Sequence, residues 1–199
     1  MTDHMIESWQ QLLEDVKACR QCQADLPCEP RPILQFDPRA RILLAGQAPG
    51  RITHERGIPF DDPSGERLRA WLGLQRQQFY DPSKLAILPM GFCYPGRGRS
   101  GDLPPRPECA RRWRDPLMEQ LTQLRLILLL GKYAQDYHLQ DRRSLSERVA
   151  DWKEAASTDS PLMICLPHPS PRNQHWIKQR PWFEAELLPW LRQQVADCL

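Results

Sequence analysis

The chain is 199 residues long, enough for one domain with a buried core. Its 27 basic and 25 acidic residues nearly cancel, so overall charge selects no partner; no charged-then-apolar leader opens the sequence and no apolar run approaches the ~20 residues that span a bilayer, so a cytoplasmic protein without a membrane anchor is expected. Seven cysteines, an odd number without a secretory signal, argue against a disulfide framework and leave metal binding or burial as their use.

Apolar residues Ile6, Trp9, Leu12, Leu13 and Val16 recur at helical spacing and predict an amphipathic opening helix. A loop rich in cysteine and proline follows over 19–38. Residues 41–45 read as a first strand. Asp62-Pro63-Ser64 starts a helix with Leu68, Trp71 and Leu72 on its inner face, and Gly73 stops it. Residues 85–89 form a second strand closed by Pro89. The segment 90–106, rich in Gly, Pro and Arg, reads as a long loop of the kind usually kept for function. Pro107 opens a helix towards Leu124, with a kink expected at Pro116. Residues 125–130 are a third strand, Ser144-Leu-Ser-Glu147 is a capping box before another helix, and 162–166 are a fourth strand. Trp182 to Ala196 forms a last helix.

Strands that are continuous apolar runs and alternate with helices indicate an α/β chain whose parallel sheet is covered on both faces. No repeat and no linker divides it, so residues 1–199 are expected to form a single domain. In such a sheet, ligands bind beyond the carboxyl ends of the strands. Two loops fall there. Gly46-Gln47-Ala48-Pro49-Gly50 follows the first strand and lets the backbone approach a ligand; its plain reading is a tight turn. His168-Pro169-Ser170-Pro171-Arg172-Asn173 follows the fourth, and joins a stiffened imidazole to a hydroxyl and two donors that suit a phosphodiester beside a polar base edge. Phe60, shortly after the first loop, either stacks on a flat ligand or belongs to the core. Arginines crowd 97–114, a distribution that suits phosphate or a solvated face.

Cys19 and Cys22 form a chelating pair, and Cys93 and Cys109 flank the arginine-rich loop. Two such pairs can make a four-thiolate site for an iron–sulfur cluster or for zinc, and spacing alone does not choose. Cys28 is a substitute ligand. Cys165 reads as a buried strand residue and Cys198 lies at the chain end.

Taken together, these motifs resemble the uracil-DNA glycosylase superfamily. Gly46-Gln-Ala-Pro-Gly50, then Gly57-x-Pro59-Phe60 and Ser64-Gly65-x-x-Leu68, is similar to the first motif of the iron–sulfur family 4 enzymes. The second loop is similar to the second motif of the single-strand-selective type, and the four cysteines match the family 4 cluster pattern in order and approximate spacing. The resemblance implies a three-layer α/β/α fold with a central four-stranded parallel sheet, and a monomer that flips a base of DNA into a pocket at the strand ends. It implies that Phe60 stacks on the base and His168 donates a hydrogen bond to a base carbonyl as the N-glycosidic bond breaks. Backbone groups at Gln47 and Ala48 would contact the base, Pro49, Gly50 and Ser170 would hold flanking phosphates, and Arg172 with Asn173 would probe the gap in the duplex. It implies a 4Fe–4S cluster on Cys19, Cys22, Cys93 and Cys109, with zinc or no metal as alternatives.

The chain departs from this pattern in its acids. Family 4 has Glu where Gln47 stands, and commonly an acidic pair where Thr53 and His54 stand; family 1 has Asp where Ala48 stands. His54 is a candidate for orienting water, with a surface histidine in a loop as its plain reading, while Glu55, Asp61 and Asp62 are nearby acids off the motif positions. Pro89 replaces the Asn with which many members read the uracil edge. The expected function is hydrolysis of uracil or a related deaminated base from DNA in base excision repair. The alternatives are a damaged-DNA-binding module with little turnover and, more distantly, a hydrolase of free nucleosides or nucleotides.

Overall fold

Apolar runs of three to five residues form the centre of the computed structural model, which describes residues 3–99, 101–156 and 161–199, with side chains from Trp9 onward. The strands are β1 (Ile42–Ala45), β2 (Leu85–Ile87), β3 (Arg97–Gly98), β4 (Gly101–Asp102), β5 (Leu126–Leu130) and β6 (Leu162–Leu166). β2, β1, β5 and β6 make one parallel sheet in that order, with Leu43 opposite both Ala86 and Ile127, and Leu128 opposite Ile164. Every residue of β1, β2 and β5 is buried, as a sheet covered on both faces demands. The expected three-layer α/β/α fold is thus present. The chain winds outward from β1 in one direction and from β5 in the other, so the two central strands mark the reversal beside which such sheets bind ligands.

The helices around the sheet start and stop where their end residues dictate. Asp62 caps the helix Pro63–Leu72 by accepting the Gly65 N–H at 2.8 Å, and Gly73 ends it in the left-handed conformation at φ 67°. The Ser144–Glu147 capping box closes as expected at the start of the helix Leu145–Ala150. The opening helix, Asp3–Lys17, sets Trp9 5.9 Å from Phe36, and Val16 is fully buried; the Ile6 side chain lies outside the described residues. The final helix Leu188–Cys198 packs on Pro63–Leu72, with Trp71 edge-on to Phe183 at 5.0 Å. Among the described residues no helix is long and apolar enough to cross a membrane.

Proline leaves the same mark on two helices. From Pro107 the chain passes through a π-turn at Ala110–Arg114 before the helix Asp115–Glu119, which contains Pro116. A second π-turn at Phe183–Leu187 precedes Pro189. Proline has no N–H to return to the carbonyl four residues back, and widening the preceding turn accommodates the gap. The first of these helices stops at Glu119, short of the Leu124 that periodicity suggested.

The segment 90–106 is more ordered than a loop. β3 and β4 pair antiparallel, Arg97 opposite Asp102 and Gly98 opposite Gly101, and the Leu103 N–H returns to the Gly96 carbonyl at 2.8 Å. The 19–38 loop also feeds the sheet, where Gln35 and Ile87 exchange backbone hydrogen bonds of 2.8 and 3.0 Å.

Candidate active site and thiol cluster

A pocket of about 390 Å³ opens at the carboxyl ends of β1, β2 and β6. The whole turn Gly46–Gly50 lines it, together with Phe60, His168, Ser170, Arg172 and Asn173. Phe60 follows the end of the turn by ten positions, whereas more than a hundred separate the turn from His168; the parallel register brings them to one edge. Pro89 and Ile87 contribute apolar floor. His54 does not join them: it lies outside the pocket lining, with its ring 6.1 Å from that of Tyr94.

Phe60 is held from behind. Its ring stands perpendicular to that of Phe79 with centroids 6.2 Å apart, and its ζ-carbon would stand 3.7 Å from a β-carbon on Gly46. Arg69, only 4% exposed, donates to the Phe60 carbonyl at 3.3 Å and to the Tyr80 hydroxyl at 3.2 Å, and Tyr80 donates to the Pro59 carbonyl at 3.0 Å. The backbone that carries the ring is therefore fixed, and Phe60 lines the pocket.

His168 is fixed in orientation and in protonation. The Ser170 N–H donates to its Nδ1 at 3.2 Å, so Nδ1 is the accepting nitrogen and Nε2 carries the proton of the neutral ring. Burial pulls its pKa below the ordinary histidine value, against the opposing pull of the Asp62 and Asp102 carboxylates. The Asn173 amide donates to the His168 carbonyl at 2.7 Å, and Arg67 donates to the Ser170 carbonyl at 3.3 Å. Asn173 thus braces the loop as well as lining the pocket.

The hairpin of β3 and β4 reaches over this pocket and brings Gly101 and Asp102 into its lining. Both sequence loops hold it. The Gln47 amide donates to the Leu103 carbonyl at 3.0 Å, and the Arg172 guanidinium lies so close to Gly101 that a β-carbon there would fall 2.2 Å from Nη1. Sequence reading passed over Asp102 because it lies in no motif; the Gly-Arg-Ser-Gly run before it was the available turn signal.

The four candidate thiols come together elsewhere. Cys19, Cys22, Cys93 and Cys109 all line one small cavity beside the carboxyl end of the opening helix, whereas Cys28 is not in its walls and Cys165 and Cys198 are buried in the main core. Each of the four sulfurs faces a donor: Trp113 Nε1–H lies 3.2 Å from Cys19, Arg106 reaches Cys22, and the backbone N–H groups of Arg31 and Phe92 meet Cys93 and Cys109. Burial pushes Cys93 up to about 12 and raises Cys22 and Cys109, so protons stay on these thiols unless a metal displaces them. Donors aimed at sulfur are what a thiolate-bound group requires. Among the described residues no three metal-binding side chains stand close enough to share a single ion. Four cysteines lining one cavity are a donor set that an iron–sulfur cluster or zinc could use.

The sequence is 28% identical over 137 residues to the type-4 uracil-DNA glycosylase of Archaeoglobus fulgidus, a match that covers 66% of this chain and 64% of that protein, slightly under two thirds of its length. The family model of the uracil DNA glycosylase superfamily matches residues 34–192, a span that holds the entire central sheet, the Gly46–Gly50 turn and the His168 loop. The chain belongs to the uracil DNA glycosylase superfamily.

Proposed function

We propose that the protein is a DNA glycosylase that hydrolyses the N-glycosidic bond of uracil or a related deaminated base in DNA. The observation that carries this reading is the His168 ring, whose Nδ1 is occupied by the Ser170 N–H so that its Nε2–H is the free donor, on the wall of a pocket that Phe60 also lines. A flipped base stacks on Phe60. Its carbonyl takes the Nε2–H, and that hydrogen bond strengthens as negative charge builds on the departing base, which lowers the barrier. The backbone of Gln47 and Ala48 contacts the base; Pro49, Gly50 and Ser170 receive the flanking phosphates, and Arg172 follows the strand. Pro89 offers no amide to read a base edge, so the substrate is assigned only as far as its class.

Cys19, Cys22, Cys93 and Cys109 hold a 4Fe–4S cluster in this reading. When bound, the cluster ties the opening helix, the loop after it and the Pro107 helix together.

Single-turnover assays with enzyme in excess over oligonucleotides carrying uracil, hypoxanthine or xanthine test the proposal. Release of at least one of these bases is expected. Tight, damage-dependent binding without release on all of them would make the protein a damage-binding module instead.

A further inference from the structure

The motif positions supply no acid to handle the hydrolytic water, yet two carboxylates line the pocket, Asp62 and Asp102. Their circumstances differ. Asp62 is engaged at the Phe60 end, where its Oδ1 accepts the Gly65 N–H at 2.8 Å and caps a helix. Asp102 stands at the other end, where its Oδ2 would lie 3.4 Å from a β-carbon on Gly50. Its side chain makes no hydrogen bond or ion pair among the described residues. With the base on Phe60 and the phosphates near Gly50, the sugar lies between, and Asp102 is the carboxylate on its side.

We propose that Asp102 is the catalytic acid–base residue that takes the proton of the attacking water, an assignment that rests on the glycosylase reading above. The water oxygen bonds to C1′ of the deoxyribose while the C1′–N bond breaks and its electron pair leaves on the base. Asp102 accepts the proton released by the water, and that proton passes through solvent to the base anion. The net reaction is hydrolysis and needs no other reactant.

The placement of Asp102 is built. It pairs with Arg97 across the hairpin, the next residue is pinned at both its carbonyl, by Gln47, and its N–H, by Gly96, and Arg172 presses on Gly101 just before it. The Gln47 contact gives the neutral residue at that position a use: an ionised glutamate has no hydrogen to donate to the Leu103 carbonyl. The His168 imidazole also lies within electrostatic reach of Asp102, which puts the two groups on the same small volume.

The test is Asp102→Asn, nearly isosteric at an exposed hairpin position, with Asp102→Glu and His168→Ala beside it. Single-turnover base release is measured against pH on whichever oligonucleotide of the uracil, hypoxanthine and xanthine panel the wild-type protein cleaves, and DNA affinity by fluorescence anisotropy. Asp102→Asn is expected to slow release by about 10²- to 10⁴-fold, the range for a positioned general base. Its affinity for DNA stays within a few-fold, and Asp102→Glu recovers part of the rate. Release by Asp102→Asn at the wild-type rate, with His168→Ala impaired, would overturn the role of Asp102 and leave the glycosylase reading standing. Tighter DNA binding with undiminished release would also overturn it, as a carboxylate that merely repels phosphate behaves this way. A wild-type protein inert on every oligonucleotide overturns both.

Discussion

The carbonyl oxygen of Phe60 occupies the space that a side chain on Gly65 would need: a β-carbon there would stand 1.7 Å from it. This contact accompanies a left-handed backbone at Phe60, φ 54°, a conformation that a bulky residue adopts only when its surroundings impose it. The surroundings are the start of the helix Pro63–Leu72 on one side and the buried Arg69, which donates to the same oxygen, on the other. The Phe60 turn at the wall of the pocket is thus set by a glycine five residues later in the chain.

Gly65→Ala follows as a test of that arrangement. No flexible side chain can yield, since the nearest atoms are the Phe60 carbonyl oxygen and carbon, so the helix start or the Phe60 turn must move. Overpacking of this kind costs about 1–3 kcal/mol. A lowered melting temperature is expected, with a weakened affinity for damaged DNA that exceeds any change for undamaged DNA. Unchanged melting together with unchanged discrimination would separate Phe60 from Gly65.

Acid should destabilise the fold in two separate windows. His138 is held down to about 4 from the ordinary 6.5, first by burial and then by the nearby Arg114 guanidinium, which lies 2.7 Å from its Nε2. The unfolded chain binds this proton more readily, so the contribution of the neutral ring is full above pH 6.5 and is lost as pH falls towards 4. The loss is on the order of 3 kcal/mol by that point. His168, also depressed by burial, adds to it in the same direction. Asp141, held down to about 2 by hydrogen bonds from Arg148 and Arg143, keeps its own contribution until pH drops below the ordinary carboxylate range. Urea melts from pH 8 to 2 check this, and His138→Gln should flatten the upper limb while leaving the lower one. An upper limb of the same height in that variant would assign it elsewhere.

The cysteine cavity makes a spectroscopic prediction. Protein purified without oxygen should be brown and contain iron and acid-labile sulfide, since zinc is colourless. Cys93→Ser should lose the colour and melt lower, because Cys93 lines the same cavity as Cys19, Cys22 and Cys109 and a shared cluster would tie their segments together. Colourless wild-type protein with four titratable thiols would remove the cluster and leave four thiols around one small cavity.

The strands and both site loops were legible because each carries local chemistry. Continuous apolar runs at 42–45 and 126–130 could only be buried strands, and the end residues Asp62, Gly73 and Ser144 act within one helical turn of themselves. What escaped depends on contacts across the chain. The helix Lys132–Leu139 begins after Gly131 at φ 78° with no capping side chain to announce it. The hairpin is only two residues per strand, too short for an alternating pattern, and it holds its place through Gln47 and Arg172, whose partners no spacing rule reveals. His54 shows the reverse. Its sequence position made it a candidate for handling water, but the helix Arg51–Arg56 directs it towards Tyr94, and Arg31 binds its carbonyl at 2.7 Å from outside.

His168→Ala tests the chemistry with the least disturbance to binding. The ring is oriented by a backbone N–H on Nδ1, and the loop that carries it is braced separately by Asn173 and Arg67 through the His168 and Ser170 carbonyls, so truncation at the β-carbon leaves the loop tied. Phe60, Gly50 and Arg172 keep their places, and DNA affinity should remain within a few-fold. Base release should fall by about 10²- to 10³-fold, as expected for one donor aimed at charge that appears only in the transition state. A loss confined to affinity, with the single-turnover rate at saturating enzyme unchanged, would mean that His168 contacts ground and transition states equally, and the burial that keeps its ring neutral would then serve binding alone.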